Sequence, residues 1–589
     1  MAVAKVIYKS SANATPDTWM DVTQDTVESD KLLASYTATK NDGTSITGSY
    51  SAPLLQSKTV TPTTSTQSIL PDSGFGGMSQ VTVNAIPSAY LIPSGTLSIT
   101  SNANGIDVGS YASVDVNVAG GGGSDDEDAI IMRTISGTYE NSRVTSVGSF
   151  AFASCNSLNT VNFSNCTTIG SSAFSHCIQL TTASFPVCTS IGSGAFSYCT
   201  SLTTISFPLC TSINAFAFNW CTSLRNVDFP LCTQIGDYAF ERCIALSSIS
   251  FPSCTSIGNY AFNFCNSLTT VSFPSCTSIG NSAFQNCSSL TTVSFPSCTS
   301  IGGYAFQSCT SLTTITFSSC ISIGTGAFQR CYSLTTISFP VCESIFLQAF
   351  SDCSALTVAS FPSCTSIGNY AFQSCKSLTT ISFPLCTSVG VGAFARCWLL
   401  DNVYLPNCSS IGNSAFQYCE AMQTVSIPLL TNIPIAAFAN CSRLINVNIP
   451  QTTNIASYAF SACTSLLSVK FLACQRISMY GFYQAYNITK IILAHGSTAI
   501  GGISLQAFGQ CYNLLSLYLL ASTVYSLANV TAFTSTPIST YTTSTGGVNG
   551  SIFVPASLYD TYRASTNWVT YSDRFVSLTD AEIEALLAE

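Results

Sequence analysis

The chain has 589 residues, of which 46% are hydrophobic and only 8% are charged, with a net charge of −9. Ordinary domains carry about a quarter charged residues, so Ser, Thr, Asn and Gln must clothe this surface. The 18 Lys and Arg form no basic patch that could neutralise a phosphate backbone, which argues against a nucleic acid partner.

The chain begins Met1-Ala-Val-Ala-Lys-Val-Ile-Tyr-Lys9, with no apolar run long enough for a secretory leader, and no stretch approaches a membrane span. Synthesis in a cytosol, without general export or membrane insertion, is the expectation. Residues 1–50 form an N-terminal attachment segment, in which Thr39-Lys-Asn-Asp-Gly-Thr44 is a hairpin turn signal. Residues 51–119 hold two small β units. The first runs through Lys58–Pro62, a Pro71–Gly77 turn and Gln80–Ala85; the second through Gly95–Thr100, Asn104–Gly109 and Ser113–Val118. Units this small rarely stand alone, so antiparallel pairing with each other or with further copies is expected.

The runs Thr18–Val27, Leu33–Ala38, Gly43–Gly48 and Lys58–Ile86 resemble the N-terminal modules of tailed-bacteriophage virion proteins, especially tail or head fibres. The resemblance covers the first 118 residues or so. It implies a virion location, attachment to other virion proteins through residues 1–119, and the homotrimer common among such fibres, although no heptad run enforces one. Residues 120–129 read as a linker: Gly120–Gly123 is flexible, and Ser124-Asp-Asp-Glu-Asp128 is a solvated acidic run rather than a calcium site.

From residue 130 to 525 one unit of 22 residues recurs. Its Ala-Phe pair ends at Phe152, Phe174, Phe196 and onward to Phe460 in fifteen copies, followed by worn copies at Gly481-Phe482 and Ala507-Phe508. A fixed period of this length defines a solenoid, here of about 17 coils. The strand of each coil is typified by Leu202-Thr-Thr-Ile-Ser-Phe207, with Leu, Ile and Phe inward and Thr and Ser outward. Pro208 ends it, Cys210-Thr-Ser-Ile213 forms a second wall, and Ala217-Phe218 is expected in a helical turn that plugs the core.

All 29 cysteines belong to the repeat. Sixteen lie three residues after the repeat Phe, from Cys155 to Cys463 and at Cys511; thirteen lie midway, from Cys166 to Cys408 and at Cys474. Stacked coils place successive cysteines about 4.8 Å apart with parallel side chains, poor geometry for a disulfide. Free thiols packed as small apolar side chains are expected, and no metal or other cofactor.

The Ile-Gly-x-x-Ala-Phe-x-x-Cys-x-x-Leu core, as at Ile257–Leu268, resembles the BspA-like class of leucine-rich repeats. It departs from that class in its period, 22 where 23 is commoner, and in the midway Cys. The resemblance implies a mainly β, right-handed solenoid and a role in adhesion. Residues 526–589 are read as a loop and cap: Ala521–Gly550 is Ser/Thr-rich, Ser551–Tyr562 and Asn567-Trp568 resemble the closing segment of that class, and Asp580–Ala588 forms a helix with Thr579 as its N-cap.

Catalytic groups are scarce. His176 and His495 lie far apart, His176 and Cys177 diverge as neighbours in a coil, and Asp237 and Glu241 read as two ordinary exposed acids. Non-enzymatic binding is expected instead. A few coils break the outward Thr/Ser ladder: Arg225, Asn226 and Asp228 in one, Asp401, Asn402 and Tyr404 in another, with Trp220 and Trp398 on the turn side, and Lys470 and Lys490 further on. Drift in a tolerant repeat is the plainer account of these substitutions, and recognition of a host-surface glycan or protein the sharper one. The reading is a fibre-like phage virion protein, with a bacterial surface adhesin, a decoration protein and a polysaccharide depolymerase as alternatives.

Overall fold

The computed structural model describes residues 136–495, 502–539 and 549–588, together with seven short strands before residue 109. Among these strands, Thr37–Thr39 pairs antiparallel with Ser45–Thr47, flanking the Thr39–Thr44 turn signal. Gln67–Ile69 pairs with Val81–Val83. Ser57–Val60, Leu97–Asn102 and Gly105–Val108 form one antiparallel sheet, so the two small units share a sheet. The strand expected at Ser113–Val118 and the linker at 120–129 lie outside the described residues.

From Gly137 onward the chain is a parallel β solenoid of about 19 turns. Two walls run its length. The broad wall stacks three-residue strands such as Thr204–Ser206 on Asn226–Asp228, in register at 22-residue spacing. The narrow wall stacks two-residue strands such as Ser212–Ile213 on Gln234–Ile235, and thirteen of these form one sheet. The two turns beyond the 17 expected lack the motif. The first, Gly137–Val147, sets Tyr139, in register with Val161, against Phe152 and Phe163 at 5.5 Å. At the far end, Ser526–Leu527 joins the narrow wall and Phe533 stacks 5.4 Å from Phe508, so the Ser/Thr-rich segment read as a loop carries one more coil.

Two columns of fully buried phenylalanines fill the interior. Phe196, Phe218 and Phe240 stack at 5.3 and 5.2 Å; Phe207 stacks 5.4 Å from Phe229 and packs at 6.1 Å across the core on Phe218. Each buried Phe removes apolar surface worth about 1.5–3 kcal/mol.

The Ala-Phe segment is not a helical turn. The residues two before and two after each repeat Phe are left-handed, as at Phe216 (φ 60) and Trp220 (φ 59). Every second N–H then points into the next coil: Phe216, Phe218 and Trp220 donate to the carbonyls of Asp237, Ala239 and Glu241, at 2.9, 2.7 and 2.8 Å, while Ala217 and Asn219 donate back within the turn to Asn214 and Phe216. This turn face is a third hydrogen-bonded seam, and its bonds offset the roughly 1–2 kcal/mol cost of each left-handed side chain. The coils approach closely beside it: a Cβ on Gly258 would lie 2.6 Å from backbone atoms of Gly236 and Asp237.

Polar side chains also bond between coils. The Thr233 hydroxyl donates to the Thr211 carbonyl (3.1 Å) and Thr203 to Thr181 (3.2 Å). All 29 cysteines are free and buried. Cys199 Sγ donates to the Phe174 carbonyl and Cys210 Sγ to that of Ser212, both at 3.1 Å.

The C-terminal segment closes the stack. Ser551–Pro555 pairs parallel on Ser516–Leu519 and Phe575–Leu578 pairs on it in turn. Trp568 and Tyr562 are fully buried behind the last coil, and Trp568 Nε1 donates to the Tyr525 carbonyl at 2.7 Å. The helix Asp580–Ala588 starts in a capping box: the Thr579 N–H and hydroxyl donate to Glu582 Oε2 at 2.8 and 2.7 Å and hold that carboxyl below its usual range.

Candidate ligand-binding surface

The expected contact residues fall in two separate patches. Asn226 and Asp228 are exposed on one broad-wall strand, with Arg225 exposed just before it. Asn402 and Tyr404 occupy the same two strand positions eight coils further on, about 38 Å away at the parallel-strand spacing. There, Tyr404 is 68% exposed, Asn402 donates to Asp401 at 2.9 Å, and Asp401 Oδ1 is sealed without a donor. The exposed Trp398 ring carries the Lys376 ammonium at 4.8 Å. Lys470 and Lys490 belong to the cap instead. Lys470 Nζ donates to the Leu586 and Leu587 carbonyls, at the C-terminal end of the last helix, and Lys490 lies 5.5 Å over Tyr518. His176 is exposed, while Cys177 Sγ turns inward to the Phe152 carbonyl at 2.9 Å, so the two side chains diverge.

Trp220 does not join Arg225. It sits on the turn face in a continuous column of left-handed residues: His176, Tyr198, Trp220, Arg242 and Phe264. His176 stacks 4.6 Å from Tyr198, and Tyr198 stacks 5.6 Å from Trp220. The Arg242 guanidinium is clamped between Trp220 and Phe264, at 4.5 and 4.6 Å from their centroids. A second column, Phe216, Tyr238 and Tyr260, stacks at 4.8 and 4.7 Å four positions earlier in the same coils.

Between the two columns in sequence lies a polar row. Asn219 and Asn263 are 5% exposed and donate to the Glu241 carboxylate from either side, at 2.9 and 3.2 Å. Asp237 accepts from the Asn259 N–H at 2.6 Å. These two acids are thus half-buried and hydrogen-bonded, not free surface charges. Burial, and then the charges of Tyr260, Glu241 and Asp237, raise the Tyr238 phenol above its ordinary range. The columns escaped sequence reasoning because their positions are the variable ones of the unit. The available signal was the run His, Tyr, Trp, Arg, Phe at 22-residue spacing, where the flanking coils hold Ser154 and Asn286.

Among the described residues no helix is long and apolar enough to cross a membrane. None of their His, Cys, Asp and Glu side chains gather in a group of three or more fit to hold a metal.

The stacked unit and its parallel walls define a leucine-rich repeat solenoid. The model of the BspA type leucine rich repeat region matches residues 135–247, 233–357, 343–454 and 431–550, and the chain belongs to this family. No curated protein matches it. Among solved structures it is similar to a leucine-rich repeat protein from Bacteroides ovatus, with 24% identity over 55% of this chain and 91% of that one, at a TM-score of 0.47. It is also similar to a leucine rich cell surface protein from Faecalibacterium prausnitzii (27% identity, 52% of this chain and 83% of that one, TM-score 0.33). A third is a leucine-rich repeat protein from Eubacterium ventriosum (22% identity, 59% of this chain and 87% of that one, TM-score 0.30).

Proposed function

We propose that this protein is a bacterial surface adhesin, a non-catalytic scaffold that holds recognition groups on a long, rigid, charge-poor solenoid. One observation carries the reading. Thr hydroxyls such as those of Thr203, Thr233 and Thr255 are spent on the preceding coil and offer a partner little. Against that satisfied background, outward rings and charges such as Trp220 with Arg242 and Trp398 with Lys376 supply the chemistry available to a partner. Membership of the BspA type family supports adhesion. A virion location rests on residues 1–118 alone, and the family match at 135–550 adds nothing to it. The test is binding of the labelled full-length chain to intact bacterial and epithelial cells. Saturable binding, competed by unlabelled protein, is the expected result; no saturable binding to either cell type overturns the reading.

A further inference from the structure

The turn face between Phe216 and Phe264 brings three features together. It holds stacked rings on both sides of a polar row, a cation clamped between two rings, and a buried polar atom without a partner. Arg242 spends both guanidinium faces on Trp220 and Phe264, which leaves only its N–H edge to offer. Among the described residues no acceptor meets that edge. The clamp holds the fork still, so little side-chain entropy remains to be lost when it donates. Asn263 donates to Glu241, which fixes the orientation of its amide, and among the described residues its Oδ1 then faces no donor although the side chain is 95% removed from solvent. An unpaired acceptor of this kind costs about 1–3 kcal/mol.

The rings present mostly edges, since each face is covered by the next coil. The open faces are at the ends of the columns. Phe216 follows Gly194, which has no side chain to cover it, and is 42% exposed. Phe264 is followed at its position by Asn286 rather than another ring. A ligand suited to this surface needs apolar faces to lie on the open rings, acceptors for Arg242, and donors for the half-buried Asp237 and Glu241 carboxylates. It also has to lack negative charge. This face sets one Arg against Asp237 and Glu241, on a chain of net charge −9, so an anionic polymer is repelled.

We infer that this turn face binds a neutral glycan, laid along the solenoid axis with its sugar hydroxyls on the Arg242 edge and the half-buried Asp237 and Glu241 carboxylates and its apolar faces on the end rings. The inference rests on the adhesion reading and names the site and ligand class for it. It places the contact on the turn face, not on the broad-wall residues Arg225, Asn226 and Asp228.

The test uses the full-length chain and immobilised hexasaccharides of glucose, N-acetylglucosamine, mannose and xylose, with polygalacturonate and hyaluronate as acidic counterparts. Trp220 fluorescence supplies a second readout. Expected is binding to at least one neutral hexasaccharide, at least tenfold tighter than to either acidic polymer, with a change in tryptophan emission. Trp220→Ala and Arg242→Ala should each weaken it tenfold or more, and Arg242→Lys should restore only part, because an ammonium lacks the planar fork. Tyr332→Ala, on a distant exposed ring, should leave it unchanged and controls for general surface effects. Thermal melts of each variant separate loss of binding from loss of fold. No binding to any neutral hexasaccharide overturns the inference, as does binding indifferent to both substitutions or stronger to the acidic polymers. If the wild-type chain binds cells and both variants bind them equally well, the turn-face inference falls while adhesion stands. If the wild-type chain binds no cells, adhesion falls, and the glycan measurement judges the turn face by itself.

Discussion

A thiol is a small apolar side chain with one weak donor, and the ladder cysteines use both properties. Burial disfavours the thiolate. It pushes Cys210 up from 9.0 to about 11, and Cys188 and Cys287 up to about 12. A group whose proton is held more tightly in the folded state gives its stability in full below the unfolded pKa and loses it as pH rises towards the folded value. Each such thiol therefore forfeits about 1.4 kcal/mol per pH unit above pH 9. With such thiols throughout the array, the melting temperature under reducing conditions, followed by circular dichroism, should fall as pH rises from 9 to 11. A melting temperature that does not change over that range contradicts the account. At pH 8, thiol reagents should find none of the 29 cysteines in the native protein and all of them in denaturant. That the cysteines form ladders was legible from their spacing alone. What each thiol bonds to was not, because Cys199 reaches a carbonyl 25 residues back that is aimed by the left-handed turn.

At the scale of one coil, the repeat Phe is the unit's main anchor. Phe262 is fully buried and stacks 5.2 Å from Phe240 and 5.1 Å from Phe284. Phe262→Ala should cost about 3–5 kcal/mol. In a linear array that loss sits at a coil boundary, where folding couples only nearest neighbours. Urea unfolding should accordingly change from one transition to two, with the N-terminal and C-terminal blocks melting separately. A single transition shifted to lower urea would show instead that coupling extends beyond adjacent coils. The same coil shows where local pattern misleads. Tyr260-Ala-Phe-Asn-Phe264 has no helix breaker and reads as a helical turn, yet Tyr260, Phe262 and Phe264 send their N–H groups to the next coil. Local propensity is outweighed there by three bonds that exist only once a neighbour is stacked. The two walls depend on strand alternation within one coil, and so were legible from a single copy of the unit.

At the scale of the whole molecule, a parallel stack ends in an unpaired strand edge, which invites another chain unless it is covered. Here Ser551–Pro555 and Phe575–Leu578 extend the broad wall, and the final helix folds back over it, with Ile583 and Leu586 on the small cluster of Ile492, Ala494, Leu520 and Leu578. Lys470 holds the far end of that helix through its last carbonyls. Removing residues 549–589 uncovers the Ser516–Leu519 edge and the apolar side chains of Ile492, Ala494 and Leu520 together. The truncated chain should self-associate in a concentration-dependent way by light scattering, and melt at lower temperature than the full chain. Thr579→Ala removes only the capping box, worth about 0.5–2 kcal/mol of helix stability, and leaves both closing strands in place. That variant should keep the association state of the full chain, with a frayed helix. If it associates as the truncation does, the helix rather than the added strands guards the edge; if the truncated chain associates no more than the full chain and is equally stable, the segment is not a cap.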